Sequence, residues 1–119
     1  MARDHTKLRF FTLADQLPLR VYRLTESLPA LERFGMQSQL RRASVSVVVN
    51  IVEGACRQSD KSYCHFLEVS LGSASETRYL LELCSRLGLL NIEMVQPLVD
   101  EYSTVIRSLQ ALISKINER

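Results

Sequence analysis

The chain has 119 residues, 46% hydrophobic and 24% charged, with a formal net charge of +2. That composition suits one globular domain long enough to bury a core without disulfides or structural metal, and the small net charge lacks the footprint of a dedicated nucleic-acid binder. Four Gly and three Pro leave little room for turns, which disfavours a turn-rich β fold.

In chain order, the first periodic segment places Phe11, Ala14, Leu17, Val21, Leu24 and Leu28 on one helical stripe. Thr6 is a candidate cap for its start. Pro18 lies inside the stripe and removes a bond to Ala14, so a kink or a later start is expected. Pro29 ends the segment. The connector P-A-L-E-R-F-G, Pro29 to Gly35, reads as one helical turn opened by Pro and closed by Gly.

The second segment runs from Met36 to Lys61. As a helix it carries three stripes. Met36, Leu40, Ala43, Val47 and Ile51 form an apolar one. Arg42, Ser46, Asn50, Glu53 and Arg57 form a polar one, spaced by fours and a three. Val45, Val49 and Val52 form a second apolar stripe on the far side. The β-branched run V-S-V-V-V-N-I-V would also pass for a buried strand. Helix is preferred, because the pattern holds for some twenty residues without punctuation and no partner strand is visible.

The third segment follows Ser59, a plausible N-cap, and puts Tyr63, Phe66, Leu67, Ser70, Ala74, Thr77, Leu81 and Cys84 on one face, with Gly88 as C-cap. Its small residues S-L-G-S-A-S, Ser70 to Ser75, would let a neighbouring helix come close. The fourth has Val95, Leu98, Val99, Tyr102, Val105, Ile106, Leu109, Leu112, Ile113 and Ile116 on one stripe. Asn91 caps it, or it begins with Pro97 at the first helical position. Four long helices with short connections give an all-α, antiparallel up-down-up-down four-helix bundle, a single domain over residues 1–119.

Little chemistry is visible. His5 and His65 are the only histidines, and Cys64 beside His65 points about 100° away on a helix, so no metal site is expected. Neither a phosphate loop nor a nucleophile with its base is recognisable. An odd cysteine count, Cys56, Cys64 and Cys84, without C-x-x-C fits free thiols and a reducing compartment. No 18-residue apolar run and no signal-peptide region are present. The expected location is therefore cytoplasmic.

Two readings remain for the polar residues. Glu53 stands four residues before Arg57, a stabilising spacing on a helix. Glu53 and Glu76 are expected in a buried or interfacial network with Arg42, Asn50 and Arg57, which would fix register and assembly. Gly54, Gly72 and Ser73 are candidates for close helix packing. The basic residues are concentrated early, with ten Lys/Arg against six Asp/Glu in residues 1–61 and five against seven afterwards. Arg3, Lys7, Arg9, Arg41 and Lys61 are thus candidate contacts for RNA or DNA phosphates. The rival reading makes Arg41 and Lys61 solubilising while Arg42 and Arg57 pair internally.

The motifs Q-L-R-R-A-S-V-S (Gln39 to Ser46), N-I-V-E-G (Asn50 to Gly54), F-L-E-V-S-L-G-S-A-S-E (Phe66 to Glu76) and L-G-L-L (Leu87 to Leu90) closely resemble the bacterial four helix bundle protein family, also called the 23S rRNA-intervening-sequence protein family. The likeness runs from about residue 8 to about 115. It implies a homopentamer of four-helix subunits with no known enzymatic activity and no cofactor. That family is distantly similar to the accessory variability protein of diversity-generating retroelements, a basic pentamer that associates with a reverse transcriptase and nucleic acid. Arg42, Asn50, Glu53, Gly54, Arg57, Gly72, Ser73 and Glu76 occupy the family's characteristic positions. Members often have Pro where this chain has Val48 and Val49, and Ala where it has Val52, so its second helix is greasier.

Overall fold

Local signals decide where each helix begins and ends. In the computed structural model, which describes residues 3–119, the Ser59 hydroxyl accepts from the Ser62 N–H at 3.1 Å and opens α3 (Asp60–Arg86). Asn91 Oδ1 accepts from the Glu93 N–H at 2.8 Å and opens α4 (Ile92–Asn117). Pro97 therefore lies inside α4 rather than at its first position. At the end of α3, Gly88 adopts φ +74°. The Leu89 N–H reaches the Cys84 carbonyl and the Gly88 N–H reaches that of Ser85, a Schellman pair that only a residue tolerant of positive φ closes cheaply.

The remaining helices are α1 (Phe11–Thr25) and α2 (Met36–Ala55). Thr6 does not cap α1. Its hydroxyl and N–H both donate to Asp4, which closes a separate short 3-10 turn, His5–Lys7. α1 neither stops nor starts at Pro18 but runs through it. The Pro29–Gly35 connector contains the expected single turn, a 3-10 helix at Ala30–Glu32. The β-branched run of the second segment is helical throughout.

Successive helices are antiparallel. Gln37 bonds Thr25 while Arg41 bonds Tyr22. Ser46 meets Ser73 while Gly54 lies against Tyr63 and Phe66. Arg78 bonds Ser103 while Cys64 bonds Asn117. The up-down-up-down bundle is 46 Å long and 23 by 18 Å across. α3 is the central element, packed along its length against α2 and α4, with α1 lying against α2 and more lightly against α4.

The core is drawn from the predicted stripes. Leu17, Val21, Leu40, Val47, Ile51, Leu67, Leu81, Val95, Val105 and Leu109 are almost wholly excluded from solvent. Burying a side chain of this kind contributes about 1.5–3 kcal/mol. Two of the buried polar groups, Ser70 and Tyr102, differ in cost. The Ser70 hydroxyl donates to the Val47 carbonyl at 2.7 Å and so ties α3 to α2. The Tyr102 hydroxyl is fully buried and has no hydrogen-bond partner among the described residues. Burial pushes its pKa well above the usual phenol range, partly offset by Arg20. A buried unsatisfied hydroxyl costs about 1–3 kcal/mol. Tyr102→Phe is therefore expected to keep the melting temperature or raise it by a few degrees, and calorimetry of the two proteins checks this.

Candidate functional site

The polar stripe of α2 faces outward along its seam with α3. At its middle the Ser46 and Ser73 hydroxyls meet at 2.8 Å. Asn50 Nδ2 donates to the Ser46 carbonyl at 2.8 Å and to its hydroxyl at 3.0 Å. These three residues are half-buried and lock the register of the two helices. Arg42, Glu53, Arg57 and Glu76 are exposed, and among the described residues none of them forms an ion pair. Within one chain, then, the expected buried network does not exist.

Its failure has a local cause at Arg57. The helix ends at Ala55, so Arg57 leaves the stripe that a longer helix would have given it. Its guanidinium instead lies 4.5 Å from the centre of the Phe66 ring, and its carbonyl accepts from Arg3 at 2.6 Å. Glu53 consequently lacks its i+4 partner. Glu53→Ala is expected to change the stability of the isolated chain by less than about 1 kcal/mol, measurable by urea denaturation.

The second apolar stripe of α2 is also open. Val45 is 37% exposed and Val49 43%, with Val52 half-buried. The outer side of α3 continues this surface with Val69 at 39%, Gly72, and Tyr79 at 55%. The α2–α3 pair thus presents a broad face of β-branched and aromatic side chains, laced with Arg42, Asn50, Glu53 and Glu76. The two glycines on these helices differ. A methyl group on Gly54 would stand 3.0 Å from Phe66 Cβ and 3.2 Å from the Tyr63 ring. Gly54 is a close-packing residue as expected, because it lets α2 and α3 touch. Gly72 is exposed with nothing within 4 Å, so no helix of the same chain packs against it.

The five basic candidates do not form one surface. Arg3 pairs with Asp60 at 2.5 Å and covers the Tyr63 ring at 4.4 Å. Lys7, Arg9 and Lys61 are exposed near the same end of the bundle. Arg41 belongs to the other end and is committed internally. Its Nε donates to the Thr25 hydroxyl at 3.0 Å and its terminal nitrogen to the Tyr22 carbonyl at 3.1 Å, with the guanidinium 4.5 Å from the Tyr22 ring centre. The roles of the neighbours are reversed from the expected ones: Arg41 binds α2 to α1, and Arg42 is open.

Around Arg41 lies a groove that the sequence pattern did not mark. It has a volume of about 380 Å³ and is lined by Tyr22, Arg33, Phe34, Gln37, Ser38, Arg41 and Arg42. Phe34 is 90% exposed. The only signal was an Arg-Phe pair in the connector, which carries no periodicity.

The described residues contain no cluster of three His, Cys, Asp or Glu able to hold a metal ion. Burial, with a smaller contribution from Glu32, pushes the Cys84 thiol up to about 11. Burial also raises Cys64, with Glu68 adding to the effect. Both thiols are therefore protonated and unreactive near neutrality. Among the described residues no helix is long and apolar enough to cross a membrane.

Fold and surface together define an all-α bundle domain whose α2–α3 face exposes Val45, Val49, Val69 and Tyr79. The chain belongs to the 23S rRNA-intervening sequence protein family, whose model matches residues 6–111. The bundle is similar to a crystal structure from Bacteroides thetaiotaomicron of a protein with unknown function from the S23 ribosomal protein family. That likeness has a TM-score of 0.78 at 24% identity, over 87% of this chain and 96% of that one. No curated protein matches the sequence.

Proposed function

We propose that the protein is a non-enzymatic homo-oligomer, a pentamer by family resemblance, that assembles through the outer face of α2 and α3 and offers a surface to RNA, DNA or a nucleic-acid enzyme such as a reverse transcriptase. The observation that carries this reading is the exposure of Val45, Val49, Val69 and Tyr79 on one face together with charges that form no ion pair among the described residues. Exposed apolar side chains rimmed by polar residues mark interaction sites. A second copy would supply what Arg42, Glu53 and Glu76 lack, and polar groups inside an apolar interface fix its register. Gly72 would admit a close neighbour there.

A protein-only scaffold is the second reading. It is favoured by the pairing of Arg3 with Asp60 and by the net charge of only +2. Sedimentation equilibrium at micromolar concentration tests the assembly. A mass of 13.6 kDa, that of one chain, would sink it. Anisotropy of a labelled RNA at low and high salt separates the two readings, since phosphate contacts weaken steeply with salt. Absence of binding even at low salt leaves the scaffold.

A further inference from the structure

Deepening the nucleic-acid reading above, and resting on it, we infer that single-stranded nucleic acid is held in the groove between the end of α1, the connector and the first turns of α2. The groove joins the two components such a ligand needs. Phe34, 90% exposed, is an aromatic face on which a base stacks, and Tyr22, 42% exposed, backs the groove with one face already covered by the Arg41 guanidinium. Arg33, Arg41 and Arg42 line the same cavity, and no carboxylate does. Aromatic platforms set in a positively charged groove are how sequence-tolerant single-strand binders work.

The details sharpen the fit. Arg41 is fixed by Thr25, the Tyr22 carbonyl and the Tyr22 ring, so its charge is held in place rather than swinging in solvent. A preorganised guanidinium loses less entropy on meeting a phosphate. Arg33 lies 5.7 Å from the Phe34 ring centre, which couples the second aromatic to a second cation. Gln37 Nε2 is held by the Thr25 carbonyl at 3.0 Å, which leaves the amide oxygen for a base edge. Phe34 belongs neither to the core nor to the α2–α3 face. The volume of about 380 Å³ lies within the roughly 300–1,000 Å³ of small-ligand pockets, room for a base and its sugar. Arg42 is common to this groove and to the assembly face, so a ring would carry one groove per subunit at the edge of each interface.

The test uses the full chain and a fluorescein-labelled single-stranded 12-nucleotide oligouridylate at low salt, with a duplex RNA and poly-glutamate as competitors. Phe34→Ala is expected to weaken binding by about 5- to 100-fold, the range for loss of one stacked base. Arg33→Glu is expected to weaken it and to flatten the dependence on log salt by about one phosphate contact. Both residues are exposed, so circular dichroism and sedimentation should match the parent. Lys7→Gln with Lys61→Gln, at the opposite end, should weaken binding far less than Phe34→Ala does. If instead that pair abolishes binding and Phe34→Ala does not, the groove is overturned while the nucleic-acid reading survives. If the parent binds no RNA at low salt, both fall. If poly-glutamate competes as well as RNA and Phe34→Ala has no effect, the groove takes acidic protein rather than nucleic acid.

Discussion

Val49→Glu should abolish the proposed assembly through the α2–α3 face and leave monomers. In a single chain Val49 is 43% exposed, so the new carboxylate stays in water and the fold is unaffected to within about 0.5 kcal/mol. In an interface built on the α2–α3 face the same carboxylate would be desolvated among valines. An unpaired buried charge costs several kcal/mol, and each such interface would bear that cost. Three kcal/mol is more than a hundredfold in dissociation constant, and a closed ring multiplies the loss over its contacts. The expected result by light scattering is a fall to the mass of one chain, with an unchanged helical spectrum. Val45→Glu, one turn earlier, should behave alike. Thr104→Glu, exposed on α4, should leave the mass unaltered. A Val49→Glu protein that keeps its assembled mass would place the interface elsewhere.

The same experiment gives Glu53 a meaning that stability of the lone chain cannot. Glu53→Ala is nearly neutral where the side chain is solvated. If a neighbouring subunit supplies its cation, the variant weakens assembly while leaving the subunit's own unfolding free energy where it was. Arg42→Ala should then act in the same sense. These are effects on association, and they separate a surface charge from an interfacial one.

What could be read from the sequence follows from the range of the forces involved. Ser59, Asn91 and Gly88 act within a few residues of themselves, so their caps were legible. The stripe from Val95 to Ile116 is periodic, and every member but half-buried Leu112 is in the core. Arg41 and Arg42 were not separable this way. They stand about 100° apart on one helix, and which of them meets α1 depends on the side from which α1 packs. Periodicity carries no record of that choice. Arg57 was misplaced because the stripe continues in the sequence two residues beyond the last helical turn. Phe34 and Arg33 were missed because a connector has no period to violate.

Gly54 and Gly72 are expected to answer the same substitution with opposite signs. At Gly54 an added methyl meets Phe66 Cβ at 3.0 Å and the Tyr63 carbonyl oxygen at 3.4 Å. A Cβ and a backbone oxygen belong to α3 itself and cannot swing away, so the helices must part. Overpacking of this kind costs about 1–3 kcal/mol, which outweighs the ~1 kcal/mol that Ala gains over Gly in helix propensity. Gly54→Ala should therefore destabilise the chain, and Gly54→Val, with two more methyls and a stiff rotamer, should do so by about 2–4 kcal/mol. Gly72 has open space in its own chain, so Gly72→Ala should raise the unfolding free energy of the subunit by about 0.5–1 kcal/mol. A subunit made more stable while its assembly weakens would identify Gly72 as the place where a second copy's helix makes its close approach. Urea denaturation at concentrations below and above the association midpoint distinguishes the two contributions. Equal stabilisation at both would mean that nothing packs on Gly72 and that the face is closed, if at all, through Val45 and Val49 alone.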